Sequence, residues 1–318
     1  PSQIKLKPTE KFGNSAVAKV MWKGLPVYFK ESPAFPGLEY MVSQLELTMS
    51  GGSVPLSEFV LIDGMPYLIS QGIEGKNLRP VIDKDPSLKT ITWDEEALYH
   101  KLILSMVTFP EDGRADNYVV QPCPDKPGKK RLVSVDNDQA FVPGIAKEKI
   151  GTASQNVIQV KCIPFCFPEM HKPIPRAVRD HFANQEPYGI LSELLKKAEN
   201  YHKSVIALKE NAHKPSFLTL THSGKPTYYG IPFVKNTLGR LYERMKTIHK
   251  TLGDLKNSNI APYQLLEEVD WLLAQKYRPQ NESVKNRFSR IETTAQNTQS
   301  STAHRAILKG LEIPEVQN

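Results

Sequence analysis

Two short apolar segments, each flanked by oxygen-bearing side chains, constrain this chain more than any other feature. Asp112 stands five residues before Asn117, and the apolar run Tyr118-Val119-Val120 follows at once. A second apolar run, Leu132 to Val135, ends at Asp136. The pattern predicts a polar loop, a strand, a turn and a second strand. A fold that forms this unit brings the loop and the end of the second strand close together.

The residue types in this unit indicate a particular chemistry. Magnesium bound to a nucleotide needs hard oxygen ligands from two directions. Asn117 on the loop can supply one ligand, and Asp136 at the strand end can supply another. Asp112 is then free to orient an acceptor hydroxyl and take its proton. The unit therefore predicts a metal-assisted transfer site.

The N-terminal part of the chain has the pattern of a β-sheet with one helix. Alternating apolar runs bounded by Gly and Pro predict strands at Ala16–Trp22, Leu25–Lys30 and Tyr67–Ser70. Between them, Gly37–Met49 carries apolar residues at helical spacing and ends before Gly51. Lys30 is thus expected at the end of a strand, just before a helix.

Helices are expected to dominate after a connector with two glycines, Gln71–Leu78. Strand-rich then helix-rich order predicts an α+β chain with a small β-rich N-terminal lobe and a larger helical C-terminal lobe. The expected divisions are 1–78, 79–290 and a polar C-terminal tail or terminal helix, 291–318. Its stretch Glu292–Ala303 is expected to be a mobile linker or the solvated face of a terminal helix. The expected helices are Asp94–Phe109, Tyr188–Glu210, Leu238–Leu252 and Tyr263–Lys276.

The order of these motifs resembles the atypical branch of the protein kinase-like superfamily, which includes phosphoinositide kinases, HipA-like kinases and actin-fragmin-type kinases. Those families use an Asp-x-x-x-x-Asn loop and a metal-binding Asp after a strand, and Asp112, Asn117 and Asp136 stand at the matching positions. The His-Arg-Asp, Asp-Phe-Gly and Ala-Pro-Glu motifs of ordinary protein kinases are absent from the sequence. The resemblance covers roughly residues 10 to 145.

The resemblance implies a bilobal kinase-like fold and a site that uses ATP with Mg²⁺, or with Mn²⁺ in its place. It assigns catalysis to Asp112, phosphate binding to Lys30 and the orienting carboxylate to Glu39, with Glu46 as the alternative. Asn117 and Asp136 would bind the metal, and whether Asp138 also contacts it stays open. Further nucleotide contacts are expected from the loop before the second strand and from the connector, namely Gly13, Asn14, Ser15, Gln71 and Ile73.

Composition limits the class of protein and its partners. The formal net charge is +7, which favours anionic partners such as inositol polyphosphates or an anionic membrane surface. Three cysteines are too few for a disulfide framework, and no apolar run is long enough for a membrane span. The helix Leu238–Leu252 is expected to present a solvated face. The alternative is an anion site formed by Arg240, Arg244, Lys246 and Lys250.

The expected function is phosphate transfer to a protein, with a phosphoinositide as the alternative acceptor. Two other classes stay open: a catalytically silent scaffold that binds a nucleotide or an anion, and an enzyme that attaches AMP to a protein. No nucleic-acid partner is expected. The sequence has no leader for secretion, so a cytoplasmic protein is expected, or a bacterial effector kinase that is delivered into a host cell.

Overall fold

The structure is a computed structural model of the 318-residue chain. It describes residues 10–12, 15–31, 33, 35–51, 54–62, 65–141, 144–150, 153–210, 218–220, 226–232, 236–254, 258–278 and 282–296. An antiparallel sheet with a helix forms the N-terminal region, and helices make up most of the C-terminal region. The predicted α+β class is therefore confirmed.

Five antiparallel strands form the N-terminal sheet, in the order β1-β2-β3-β5-β4. Lys30 on β3 faces Leu68 on β5 and Val17 on β2, so it lies on the central strand of the sheet. The side chains of Phe29, Phe59 and Leu68 are buried under the sheet. The strands are β1 (Glu10–Phe12), β2 (Ser15–Trp22), β3 (Leu25–Glu31), β4 (Ser57–Ile62) and β5 (Met65–Gln71).

Helix α1 (Pro36–Ser50) follows β3 and packs between the sheet and the C-terminal region. It begins with a proline in its first turn, and it ends at Gly51, whose φ of 73° closes the helix in the left-handed conformation. The apolar residues Leu38, Met41, Val42, Leu45 and Met49 are buried. The predicted helix is confirmed within one residue at each end.

A second, three-stranded sheet carries the loop that contains Asp112 and Asn117. Strands β6 (Lys76–Asn77), β7 (Tyr118–Pro122) and β8 (Lys130–Ser134) are antiparallel, in that order. Helix α2 (Leu78–Lys84) continues directly from β6, and helix α3 (Glu95–Thr108) leads into the loop. The two strands predicted around the turn are therefore confirmed.

The remaining helices build the C-terminal region around one continuous core with α1 and α3. Helices α5 and α6 confirm two predicted segments. The single predicted helix Tyr263–Lys276 is wrong: the backbone is extended at Asp270, whose side chain accepts the Leu273 N–H and starts a new helix. The bounds are α4 (Arg176–Ala183), α5 (Pro187–Glu210), α6 (Thr237–Gly253), α7 (Pro262–Val269), α8 (Trp271–Lys276) and α9 (Val284–Gln296).

Several elements were not expected from the sequence. Helix α9 begins before the predicted polar tail and buries Val284, Phe288 and Ile291, and its end reaches the stretch for which a linker or a terminal-helix face was predicted. Two additional antiparallel hairpins are present, formed by β9 (Gly144–Ile150) with β10 (Ala153–Gln159), and by β11 (Leu218–Leu220) with β12 (Pro226–Tyr228). Within the described part of the chain, no helix is both long and apolar enough to cross a membrane.

Candidate functional site

The ammonium group of Lys30 is the centre of the site. Its Nζ donates a hydrogen bond to Asp136 Oδ1 and another, of 3.2 Å, to Asp138 Oδ2. Glu39 Oε2 lies 3.7 Å from the same nitrogen. Strand β3 supplies the lysine, the first turn of α1 supplies Glu39, and the loop after β8 supplies the two aspartates. The structure thus brings three residues singled out from the sequence to one point, together with Asp138, whose role the sequence left open.

Burial and charge act in opposite directions on this cluster. Burial lowers the pKa of Lys30, but the carboxylates of Asp138, Asp136 and Glu39 together raise it well above its ordinary value. Burial raises the pKa of Glu39 to about 8, and the Lys30 charge opposes that shift. Glu39 Oε2 accepts no hydrogen bond in the described part of the chain. Lys30 is therefore firmly cationic, and Glu39 is a carboxyl group that is easily protonated.

Glu46, the alternative partner for Lys30, lies elsewhere. It stands about two helical turns after Glu39 on the same side of α1. Its carboxylate forms an ion pair with Lys101 on α3, and both side chains are almost fully buried. Glu39 is therefore the α1 carboxylate that faces Lys30.

Asp136 has an unusual backbone conformation. Its φ is 59°, in the left-handed region that residues other than glycine seldom adopt. The preceding residue, Val135, donates its N–H to the Asn117 carbonyl over 2.8 Å and so ties the strand end to the loop. The left-handed turn directs the chain away from β8 immediately after this bond. A strained residue that carries a half-exposed carboxylate indicates a functional position.

The predicted loop is held by its own side chains. Asn117 Nδ2 donates to the Asp112 carbonyl over 2.6 Å, and Asn117 is buried. The Asp112 carboxylate forms two parallel contacts with Arg114, at 2.6 Å from Nε and 3.0 Å from Nη2. Burial raises the pKa of Asp112, although the Arg114 charge opposes the shift. Asp112, Asn117 and Asp136 line one small cleft.

The segment of residues 160–163 lies directly beside the Asp112 loop and is hydrogen-bonded to it. Gly113 donates its N–H to the Lys161 carbonyl over 2.7 Å and accepts from the Ile163 N–H over 2.9 Å. A Cβ at Gly113 would lie 2.6 Å from the Lys161 oxygen, so only glycine fits this approach. The buried Tyr277 hydroxyl accepts the Cys162 N–H and donates to the Val160 carbonyl. Tyr277 therefore fixes the segment that faces the Asp112 loop.

The other predicted nucleotide contacts are less well defined. Gly13 and Asn14 lie outside the described residues, and only the backbone of Ser15 is described, at the start of β2. Gln71 ends β5 opposite Val27 and is exposed, and Ile73 is half-buried in the connector that follows. Their contact with a nucleotide stays a prediction.

The residues present are suited to magnesium held jointly with phosphate. The amide of Asn117 and the carboxylate of Asp136 are hard oxygen donors on one cleft. Asn117 uses its Nδ2 in the loop, so its amide oxygen is the atom that can act as a ligand. In the described residues, no group of three or more His, Cys, Asp or Glu side chains could hold a metal by itself. Phosphate oxygens would complete the shell, as is usual for magnesium.

The four cations predicted to form an anion site on α6 divide between two environments. Arg244 is buried, and its guanidinium lies 4.4 Å from the centre of the Phe109 ring. Arg240, Lys246 and Lys250 are exposed. At about 100° per residue, Arg244 and Lys246 point to nearly opposite sides of the helix. The cations thus do not converge as one group of four.

Sequence reasoning missed some residues near the site. Arg114 could have been found, because it stands inside the Asp112–Asn117 loop. Lys101 and Ser134 carried no signal, because an ordinary helix and an ordinary strand surround them. Their contact with Glu46 exists only in three dimensions.

Comparison with known proteins gives structural neighbours alone. No protein-family model and no curated protein matches the chain. The BubR1 kinase domain aligns with a TM-score of 0.30 at 15% identity, over 91% of this chain and 84% of that one. The Helicobacter pylori proinflammatory kinase CtkA aligns with a TM-score of 0.37 at 8% identity, over 91% and 96% of the two chains.

The pseudokinase domain of BIR2, an immune regulator of the RLK/Pelle family, aligns with a TM-score of 0.31 at 8% identity. The alignment covers 88% of this chain and 84% of that domain. All three TM-scores are low, so the arrangement of the site residues carries the functional proposal.

Proposed function

We propose that this chain is an ATP- and magnesium-dependent phosphotransferase, and specifically a protein kinase of the atypical type. One observation carries the proposal. The Lys30 ammonium lies among Glu39, Asp136 and Asp138, and Asp136 lines the same cleft as Asp112 and Asn117. Phosphate transfer depends on positioning and charge neutralisation, which this set of groups can supply.

Lys30 is the group that neutralises phosphate. Its compact positive charge suits the α- and β-phosphates of ATP, and three carboxylates now keep it protonated. Phosphate oxygens would replace the aspartates as its partners. Glu39, attached to the rigid helix α1, remains beside Lys30 and limits where the long side chain can point.

Asn117 and Asp136 would hold Mg²⁺ together with the phosphates. Bound magnesium supplies charge neutralisation at the phosphate oxygens. Asp136 already contacts Lys30, so the metal would lie beside the group that neutralises the phosphates.

Asp112 would act on the acceptor. In the transfer, the acceptor oxygen bonds to the γ-phosphorus, the bond from that phosphorus to the ADP oxygen breaks, and the hydroxyl proton passes to the Asp112 carboxylate. Arg114 contacts both oxygens of that carboxylate through its Nε and Nη2, and it adds a positive charge beside them. Its half-exposed guanidinium can also meet the phosphoryl group.

A protein hydroxyl is the proposed acceptor, because the sequence has no amphipathic segment typical of membrane anchoring. The test incubates the chain and magnesium with ATP labelled at either the γ- or the α-phosphate. Protein mixtures and phosphoinositide vesicles are offered in separate reactions. Transfer of γ-label to protein supports the proposal, and transfer to lipid identifies a phosphoinositide kinase.

The remaining outcomes identify the other classes. Transfer of α-label to protein identifies an AMP transferase, and nucleotide binding without any transfer identifies a scaffold. Asp136→Asn is the negative variant. Asp125→Asn is its matched control, because Asp125 is an exposed carboxylate on the turn between β7 and β8. Equal transfer by wild-type and Asp136→Asn protein would reject the site assignment.

A further inference from the structure

A buried polar triad lies behind the Lys30 cluster. Lys101 Nζ pairs with the Glu46 carboxylate and donates to Ser134 Oγ over 2.9 Å. Ser134 Oγ in turn donates to Glu46 Oε1 over 3.2 Å. The lysine side chain is 2% exposed and the glutamate 4%. We call Glu46, Lys101 and Ser134 the core triad.

The three members come from three of the elements that supply the candidate active site. Glu46 shares α1 with Glu39. Lys101 lies on α3, whose C-terminal end leads into the Asp112 loop. Ser134 is the last residue of β8, two positions before Asp136. The triad therefore joins the supports of the orienting carboxylate, the catalytic loop and the metal aspartate.

Stability alone is a weak explanation for such a group. Removing two charges from water costs several kcal/mol per ion, and apolar side chains of similar volume are often as stable or more stable. A buried pair does, however, penalise every alternative packing in which one partner is left alone. A shift of α1 along α3 would leave the Lys101 ammonium unpaired inside the core. The triad thus favours one position of α1.

Other contacts hold α1 at its C-terminal end. The Met49 carbonyl accepts a hydrogen bond from Gln185 Nε2 over 2.5 Å, and His181 Nε2 lies 2.5 Å from the same oxygen. Tyr40 stacks on Tyr201 of α5, with ring centres 4.9 Å apart. Helix α1 is therefore attached to the C-terminal region at several levels, and the triad is the attachment nearest to Asp136.

We infer that Glu46, Lys101 and Ser134 are positioning residues, which set α1 and the end of β8 so that Glu39 and Asp136 both face Lys30. The inference deepens the proposed function and rests on it for its catalytic consequence. Its structural consequence is independent of catalysis: without the triad, Lys30 loses part of its carboxylate environment. When the triad is present, contacts within this chain hold the helix that carries Glu39.

The test uses the full chain with the double variant Glu46→Leu/Lys101→Met, which removes both charges at once and so avoids an unpaired ion. Ser134→Ala is the second variant, and it removes only the link to β8. The matched control is Glu199→Gln/Lys203→Gln, which removes an exposed ion pair of α5 with 2.6 Å between charged atoms. Melting temperature, kcat, KM for ATP and hydrogen exchange of the α1 backbone amides are measured for each protein.

Hydrogen exchange reports how firmly α1 is held without any need for activity. The inference predicts that the double variant melts at or above the wild-type temperature, that its α1 amides exchange about tenfold faster, and that its kcat/KM falls by about tenfold or more. Ser134→Ala should shift exchange and kcat/KM in the same directions by less, and the control should change neither.

A double variant with wild-type exchange and wild-type kcat/KM would overturn the inference and leave the triad as packing. If the double variant does not fold, Ser134→Ala decides: unchanged exchange in that protein likewise rejects the inference. Failure of the proposed function has a separate signature. It would leave wild-type protein without transfer activity, and the exchange rates would still test the positioning role.

Discussion

Lys30 Nζ lies 3.7 Å from Glu39 Oε2, and this pair joins the central strand of the N-terminal sheet to the first turn of α1. Glu46, further along the same helix, is occupied by Lys101. The two glutamates therefore have different partners, and substitutions should separate their effects.

Glu39→Gln should weaken ATP use, because it removes the carboxyl group that lies beside Lys30 and limits where the lysine points. We expect kcat/KM for ATP to fall about tenfold, because a misplaced cation loses part of its interaction with phosphate. Lys30→Met should cost at least as much. The measurement is steady-state kinetics at varied ATP, and Glu58→Gln serves as an exposed control on β4. Wild-type kinetics in the Glu39→Gln protein would contradict the assignment.

Glu39 should also make stability depend on pH. Its pKa is raised from 4.5 to about 8 in the folded chain, so the folded state binds the proton more tightly than the unfolded state. The resulting stabilisation is fully present below 4.5 and is lost as pH rises towards about 8.

The measurement is denaturant unfolding of wild-type and Glu39→Gln protein between pH 5 and pH 8. The difference in unfolding free energy should move in favour of the variant by at most about 1.4 kcal/mol per pH unit. Comparing the two proteins removes the titration of other groups. A difference that stays constant over the whole range would show that Glu39 is ionised throughout.

Asp112→Asn should abolish transfer and leave nucleotide binding nearly unchanged, because in the proposed mechanism the side chain acts on the acceptor hydroxyl. We expect a fall in kcat of about a hundredfold or more. Since burial raises the pKa of Asp112, wild-type kcat should decline as pH falls through that raised pKa. Calorimetric ATP titration beside a rate assay checks both statements. A loss of ATP affinity in the variant would show that Asp112 contributes to nucleotide binding instead of catalysis.

Arg244→Met should raise the melting temperature of the chain without ligand. Burial and the neighbouring Arg240 lower the pKa of Arg244 to about 9. In the described residues, its Nε and Nη2 have no hydrogen-bond partner. The Phe109 ring offsets only part of this cost, so removing the charge should gain about 1 kcal/mol.

The same melts test the anion site expected on α6. A specific site predicts that inositol hexakisphosphate raises the wild-type melting temperature saturably, and that the increase shrinks in Arg244→Met and Arg240→Gln protein. Lys246→Gln is the matched control, because Lys246 is exposed and points to nearly the opposite side of the helix from Arg244. Equal shifts in all these proteins would mean that only net charge matters. A lower melting temperature for ligand-free Arg244→Met would show that the arginine is structurally satisfied.

Sequence patterns predicted those parts of the site that are formed by residues close together along the chain. The spacing of Asp112 and Asn117 follows from one loop, and the position of Asp136 follows from the end of one strand. The sequence put Glu39 first and kept Glu46 as the alternative. Deciding between the two required the direction of α1 relative to β3, which sequence patterns do not contain. The strand-to-helix order was enough for the α+β class.

What the sequence could not predict depends on tertiary contacts. The core triad joins residues from α1, α3 and β8, and none of the three has a distinctive local pattern. The break at Asp270 needed the choice between a helix interior and an N-cap, which one side-chain hydrogen bond decides. The burial of Arg244 depends on the Phe109 ring at the end of α3.

The most direct test of the account is calorimetric titration of ATP into wild-type and Asp136→Asn protein, each with magnesium and with a chelator. Asp136 is half-exposed, so the substitution should leave the fold intact. The account predicts that magnesium strengthens ATP binding to the wild-type chain and that Asp136→Asn removes most of this dependence. ATP binding that is equally strong with chelator, or a magnesium dependence that survives in Asp136→Asn protein, would contradict it.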